Sequence, residues 1–386
     1  MTKASIKNPR EEIDAIDREI LRLLNERAMI ALRVGAAKTV ADTSLVDPVR
    51  ESEVLTRLTA ENRGPFDATS IENIFQRIID ESLHLQQATY HKAADRAGET
   101  ADFVTPQGRT RIAFLGAHGT FSETAALGIL GGDHTYISSP TFEDLYKAIA
   151  EGEADFIISP LENSLVGSIH RCYDLLLSSD LSIVAEIILP VSHFLIASPT
   201  ATFETIKTVE SHPAALGQCE RFFSAHPGLK GIAADDTAGS VKRAVESGDV
   251  TRAAIGGRRA ADIYRGKILR EHIEDHSENY TRFVLLAAKP DESGKGSKIS
   301  LVVRLKNQPG SLHSALRPFV RRNIDLTKIE SRPIKGRPSE FNFYLDIQAP
   351  ASESELRGAL DEIKEQAAEV RYLGRYPTLT ISEDIS

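Results

Sequence analysis

Between Glu11 and Lys38 the apolar residues Ile13, Ile16, Ile20, Leu24, Ala31 and Val34 recur at helical spacing, and no proline interrupts them. A helix of about 30 residues is ~45 Å long, more than two shorter helices can cover. The same stripe collects cations. Ile20, Leu24, Arg27, Ala31, Val34 and Lys38 follow in steps of four and three, so Arg27 and Lys38 share the face expected to be buried, and Arg10 extends it. A buried cation without a partner is costly.

Asp47-Pro48 announces a second helix, an N-cap followed by proline at the first helical position, carrying Arg50, Glu51, Val54, Leu55 and Leu58. A third is expected after Thr69-Ser70, with the stripe Ile71, Phe75, Ile78, Ser82, Gln86. Together they converge Arg10, Arg27, Lys38, Arg50, Glu51, Ser82 and Gln86 on an apolar interior. Such a pocket suits a small dianion with an extra acceptor oxygen, and chemistry there would be positioning and electrostatics. Residues 8 to 90 resemble the all-helical chorismate mutases, with Arg10, Arg27, Lys38, Asp47, Arg50, Glu51, Ser82 and Gln86 on motif positions. The resemblance implies a cofactor-free Claisen rearrangement of chorismate to prephenate. Arg10, Arg27 and Arg50 would hold the two carboxylates, Lys38 and Gln86 would face the ether oxygen, and Glu51 would take a hydroxyl. Asp47 and Ser82 would complete the substrate site. It further implies an interlocked homodimer, or a higher homo-oligomer, in which Arg10 is donated across the interface.

Periodicity is lost from His91 to Gly108, which reads as a linker. From Arg111 short apolar strands alternate with helices, and polar clusters stand at the strand ends, where open α/β sheets place ligands. Gly116 to Glu123 is the first, with Thr120-Phe121-Ser122-Glu123 fitting a capping box. Next, the apolar run Phe156-Ile157-Ile158 leads to Pro160, where the strand is expected to end and to leave Glu162, Asn163 and Ser164 on a loop. Further clusters are Ser211-His212-Pro213 with Gln218 and Cys219, then Asp235-Asp236-Thr237-Ala238, and Asn279-Tyr280-Thr281-Arg282-Phe283 opening the strand Phe283 to Ala287. Two sets of βα units around a cleft are expected.

In order over residues 111 to 288, these clusters resemble the motifs of prephenate dehydratase, Thr281-Arg282-Phe283 most of all. The resemblance implies a two-lobed α/β domain, periplasmic-binding-protein-like, that converts prephenate to phenylpyruvate with loss of water and carbon dioxide. Thr281 would donate to the departing hydroxyl. Asn163, Ser211, Gln218 and Thr237 would hold the substrate, Thr120 and Ser122 would lie near its carboxylates, and Glu162, Ser164, Arg282 and Phe283 would complete the site, with Arg282 alternatively a structural ion-pair partner of a Glu or Asp. Asp236 stands where the family usually has Ser, and a carboxylate beside a dianion repels it, so Asp236 is expected to point away from the cleft. His118 is expected to be a loop residue.

Beyond Asp291-Glu292-Ser293-Gly294-Lys295-Gly296-Ser297 the pattern is strand, helix, strand, strand, helix, strand, the ferredoxin-like βαββαβ order. Asn307-Gln308-Pro309-Gly310 and Glu330-Ser331-Arg332-Pro333 resemble the ACT regulatory domain. The implied ligand is L-phenylalanine, held by Asn307, Gly310, Ser311, Leu312 and Glu330, Ser331, Arg332 and Pro333 between two chains. His313 replaces the apolar residue usual there, which bears on inhibitor affinity.

The expected domains are an all-α mutase bundle at 1–92, a linker at 93–108, the two-lobed α/β domain at 109–289, a linker at 290–297 and an α+β ACT domain at 298–386. The implied enzyme is bifunctional, chorismate mutase and prephenate dehydratase, feedback-inhibited by L-phenylalanine; the rival is a non-catalytic two-lobed sensor with an ACT module. A net charge of −9 leaves no basic surplus for nucleic acid. No apolar run approaches ~18 residues and the polar start leads straight into a helix, so neither a membrane span nor a signal peptide is expected. Cys172 and Cys219 show no metal spacing and read as reduced thiols of a cytoplasmic protein. No GxGxxG is present, so neither a nicotinamide cofactor nor a dehydrogenase partner domain is expected.

Overall fold

The computed structural model describes residues 3–40, 46–90, 108–289, 296–334, 336, 337, 339–350 and 352–380. Of the linkers expected at 93–108 and 290–297, residues 93–107 and 290–295 lie outside these described residues. The chain forms two compact units, one from residues 1–99, 303–343 and 350–370, the other from 100–302, 344–349 and 371–386.

The first unit opens with α1 (Lys3–Val40), α2 (Pro48–Glu61) and α3 (Ala68–Tyr90). α1 has 38 residues. Asp47 caps α2 by accepting the Arg50 N–H at 3.1 Å, with Pro48 at the first position. α3 starts earlier than Thr69-Ser70 suggests, because Asp67 Oδ1 takes the Ser70 N–H at 2.7 Å. Within this chain the long stripe of α1 stays largely uncovered, with Ile13 56%, Ile16 59% and Ile20 49% exposed. On α3, Ile79 and Leu83 are buried.

The second unit begins with β1 (Arg111–Leu115), α4 (Phe121–Leu130), β2 (Thr135–Ser139), α5 (Phe142–Ala150), β3 (Phe156–Asn163), β4 (Gly167–Ser168), α6 (His170–Ser178) and β5 (Ser182–Pro190). A second lobe follows with β6 (Phe194–Ala197), β7 (Thr208–Ser211), α7 (Pro213–Gly217), α8 (Glu220–Ala225), β8 (Lys230–Ala233), α9 (Thr237–Glu246), β9 (Arg252–Gly256), α10 (Arg258–Tyr264) and β10 (Lys267–Arg270). β11 (Tyr280–Ala287) then returns to the first lobe. The remaining elements are β12 (Lys298–Leu305), α11 (Ser311–Arg321), β13 (Leu326–Pro333), β14 (Phe341–Gln348), α12 (Glu353–Gln366), β15 (Ala367–Tyr376) and β16 (Thr378–Thr380). The sheets run β16-β5-β11-β3-β1-β2, with β4 on β3; β10-β6-β9-β7-β8; and β13-β14-β12-β15. The three architectures expected from the sequence are present in the expected order.

Two strands differ from expectation in a way that shapes the site. β3 does not end at Pro160; it continues to Asn163, paired antiparallel with β11. Arg282 faces Glu162 and Phe283 faces Pro160, so Leu161 is an extra residue and the ladder slips there. A bulge is where a strand tolerates a proline with no N–H to give. Correspondingly, β11 begins at Tyr280, and Thr281 and Arg282 sit on a strand with alternating faces. Phe283 and Leu285 enter one apolar cluster with Phe114 and Ile187, whereas Val284 and Leu286 enter another with Tyr376.

Candidate active sites

A cavity of about 550 Å³ lies between the two lobes of the second unit. From the first lobe come Gly116, Thr120, Phe121, Ser122, Asn163 and Thr281; the second contributes His212, Gln218, Asp235, Asp236 and Thr237, with His193 at the crossing between lobes. Among the described residues that line it there is no Arg or Lys. The N-termini of α4 and α9 end at the cavity, where their caps Thr120 and Asp236 both line it; the neutral Thr120 leaves the positive end of α4 in place, whereas the Asp236 carboxylate offsets that of α9. Asp236 therefore does not point away: its Oδ1 accepts the Gly239 N–H, and capping α9 holds the carboxylate at the cavity wall.

The glycine loop is locked to the second lobe. Gly119 has φ +90°, and a Cβ there would lie 2.8 Å from Ala260 Cα, so only glycine permits this approach. Glu123 does not return to the Thr120 N–H as a capping box requires. Its Oε2 accepts from Gly119 N at 2.7 Å and Arg259 Nε at 2.9 Å, and Oε1 meets His118 Nδ1 at 2.7 Å. Burial would raise this carboxyl, but these donors hold it below the ordinary range. His118 is thus a loop residue that braces Glu123.

A chain of hydrogen bonds runs along the cavity wall. Asn163 Oδ1 accepts the backbone N–H groups of Leu165 and Val166, each at 3.0 Å. Its Nδ2 donates to Thr281 Oγ1 at 3.0 Å and to Asn279 Oδ1 at 2.8 Å. Asn279 Nδ2 donates to Gln218 Oε1 at 3.0 Å, and His193 Nε2 meets the same oxygen at 2.7 Å. Thr281 Oγ already accepts from Asn163, so its proton is left for a ligand. His193 is 2% exposed, and burial pushes its pKa down, which keeps the ring neutral.

Of the residues expected to hold substrate in this domain, Thr120, Ser122, Asn163, Gln218, Thr237 and Thr281 line the cavity. The others have different partners. Ser211 is fully buried and donates to Ile255 O at 2.8 Å. Ser164 Oγ donates to Glu278 O at 3.2 Å and accepts from Tyr280 N at 2.9 Å. Phe283 is core. Arg282 lies on the opposite face of β11 from Thr281. Its Nε meets Glu186 Oε2 at 2.6 Å, Nη1 meets Asp346 Oδ2 at 2.6 Å, and Nη2 donates to Tyr376 Oη at 3.0 Å. Glu162 approaches the same guanidinium at 4.0 Å. Of the other members of the wall, Asn279 stood in the last strand-end cluster without a role, and His193 was not singled out. A lone histidine after Pro190-Val191-Ser192 carries no spacing signal.

In the first unit Arg27 of α1 donates to Ser82 Oγ at 2.5 Å and Ile78 O at 3.4 Å, while Gln86 Nε2 bonds Ala31 O. Burial lowers the Arg27 pKa. Lys38 pairs with Asp47 at 3.6 Å. Arg50 is exposed beside Glu53, 3.0 Å away. Glu51 is held by Arg321 of α11; burial raises its pKa and Arg321 opposes the rise. Arg10 is exposed, 17 residues before Arg27, about 25 Å along a continuous helix. Within one chain the two arginines cannot share a ligand.

In the last ninety residues, Asn307 and Gly310 are exposed at the start of α11, and Gly310 has φ +82° there. Ser311 and Leu312 follow in its first turn. Glu330, Ser331, Arg332 and Pro333 close β13, the outermost strand of its sheet.

Comparison with known proteins assigns each part. Residues 9–87 match chorismate mutase type II, 112–291 prephenate dehydratase and 299–367 the ACT domain. The bifunctional chorismate mutase/prephenate dehydratase of Neisseria gonorrhoeae is 34% identical over 373 residues, 96% of this chain and 97% of that protein. The chain belongs to the bifunctional chorismate mutase/prephenate dehydratase family. Among solved structures, prephenate dehydratase from Arthrobacter aurescens in complex with L-phenylalanine is 30% identical with TM-score 0.63, covering 69% of this chain and 89% of that one.

 A structure described as a novel type of quorum quenching acylase is likewise 30% identical with TM-score 0.63, covering 70% of this chain and 98% of that one. The lobes, the cavity and the wall of amides all lie within the residues that match prephenate dehydratase. No helix among the described residues is long and apolar enough to cross a membrane.

Proposed function

We propose that this chain converts chorismate to prephenate in its mutase domain, residues 1–92, and prephenate to phenylpyruvate in its dehydratase domain, residues 109–289. The ACT domain, residues 298–386, places both under feedback by L-phenylalanine in the cytoplasm. The observation that carries the dehydratase reading is the Asn163–Thr281 pair in a cavity walled by helix N-termini. Prephenate is a dianion, and the cavity, with no Arg or Lys among its described lining residues, meets it with neutral donors. As the carboxylate leaves as carbon dioxide, the electron pair of the broken bond enters the ring and expels the ring hydroxyl as hydroxide, which takes one proton from solvent to become water. Thr281 is a poor acid, so it donates a hydrogen bond to that hydroxyl and orients it, while Thr120, Ser122, Gln218 and Thr237 hold the carboxylates.

In the mutase domain Arg27 and Gln86 stand together on the α1/α3 seam, with Ser82 orienting the guanidinium. Lys38 and Asp47 close one end. Arg10 lies too far along α1 to serve the same site, and the uncovered apolar stripe beside it fits a second copy of the chain. A homodimer in which α1 reaches across supplies both. For the ACT domain, support comes from the relative solved with L-phenylalanine and from the open edge of β13, which leaves Glu330 to Pro333 accessible to a partner.

The dehydratase assignment is tested by phenylpyruvate formation from prephenate. Thr281→Ala is expected to lower kcat by about 100-fold, the size of a lost transition-state donor, with mutase activity retained. Wild-type turnover by that variant would remove Thr281 from the chemistry.

A further inference from the structure

The amide wall has a direction fixed from one end. Backbone N–H groups can only donate, so the two that reach Asn163 Oδ1 identify it as oxygen and leave Nδ2 to donate to Asn279 Oδ1. Asn279 Nδ2 must then donate to Gln218 Oε1. The contact at 2.7 Å from His193 to that oxygen requires a proton on Nε2. His193 Nδ1 is buried and has no partner, as expected of a neutral ring with one proton. Both acceptor directions of Gln218 Oε1 are thus occupied from within the wall, and its Nε2, which has no partner among the described residues, remains for the cavity that Gln218 lines.

We propose that His193 is a positioning residue: with Asn279 it holds the Gln218 carboxamide oxygen-inward, so that the Nε2 donor is presented to a carboxylate oxygen of prephenate. Without His193 the amide can turn over and offer its oxygen to the dianion, replacing an attraction by a repulsion. The inference rests on the reading of Gln218 as a substrate-holding residue.

The test is steady-state dehydratase kinetics on prephenate with the full chain and the variants His193→Met, His193→Gln, Gln218→Ala and the double variant His193→Met/Gln218→Ala. Met and Gln have similar length, but only Gln can donate where Nε2 stood. His193→Met is expected to raise KM about tenfold, the worth of one hydrogen bond to a charged group, with a smaller change in kcat. His193→Gln should restore most of the loss, and His193→Met should add nothing in the Gln218→Ala background. Equal impairment of the Met and Gln variants, or the same further loss in both backgrounds, overturns the proposal. A wild-type KM for Gln218→Ala alone overturns the underlying reading of Gln218, a distinguishable result. If His193→Met does not fold, Gln218→Glu decides: it keeps an acceptor for His193 but turns a second oxygen to the cavity. A raised KM supports the proposal, and a wild-type KM overturns it.

Discussion

Asn163 orients two side chains at once because its own carboxamide is tied to the backbone at Leu165 and Val166. Thr281 and Asn279 inherit their directions from it, and His193 closes the far end of the chain. Buried and neutral, His193 has a pKa below its usual value of about 6.5. The unfolded chain takes up its proton first, so stability from this group is complete above the ordinary value and is lost as pH falls toward the depressed one. Urea unfolding from about pH 7.5 to 5 should show wild type losing more stability than His193→Gln; parallel losses would place the titration elsewhere. At this scale the sequence located Asn163, Gln218 and Thr281 through strand-end motifs. It did not separate them from Ser211, Arg282 and Phe283, which share those motifs but turn inward or to the opposite face.

Strand alternation supplies what the motifs lacked. On β11, Thr281 and Arg282 necessarily face opposite sides, and starting that strand at Phe283 concealed this. Proline at 160 invited a loop at Glu162 to Ser164; the extra residue Leu161 lets β3 continue to Asn163 instead. Arg282 meets Glu186, Asp346 and Tyr376, and Asp346 is also bound by Ser300 at 2.5 Å. Removing one partner of such a buried set leaves uncompensated charge. Arg282→Leu is expected to cost about 3–5 kcal/mol in denaturant unfolding, with any loss of dehydratase activity following the loss of folded protein. Unchanged stability with a large fall in kcat would instead place Arg282 in the catalytic site. The helix starts were legible where the cap was explicit, as at Asp47-Pro48, and less so at α3, where Asp67 caps ahead of the Thr-Ser pair.

For the molecule as a whole, the three-part order was legible from periodicity, which changes from helical to alternating at the points where the architecture changes. The covering of α1 was not, because the described residues of one chain leave it open: Ile13, Ile16 and Ile20 remain about half exposed. If a second copy supplies that cover and Arg10 serves its neighbour, Arg10→Ala and Arg27→Ala should each abolish most mutase activity alone. Mixed and allowed to exchange, they should recover up to about a quarter of wild-type activity, since random pairing makes half the dimers mixed and each has one intact site. No recovery after demonstrated subunit exchange would place both arginines in one chain's site. The central claim, two separate sites acting in succession, is met most directly by supplying purified protein with chorismate and measuring prephenate and phenylpyruvate together, wild type beside Thr281→Ala. The account predicts phenylpyruvate from wild type and accumulated prephenate from the variant. Phenylpyruvate from both at equal rates, or no consumption of chorismate by either, would contradict it.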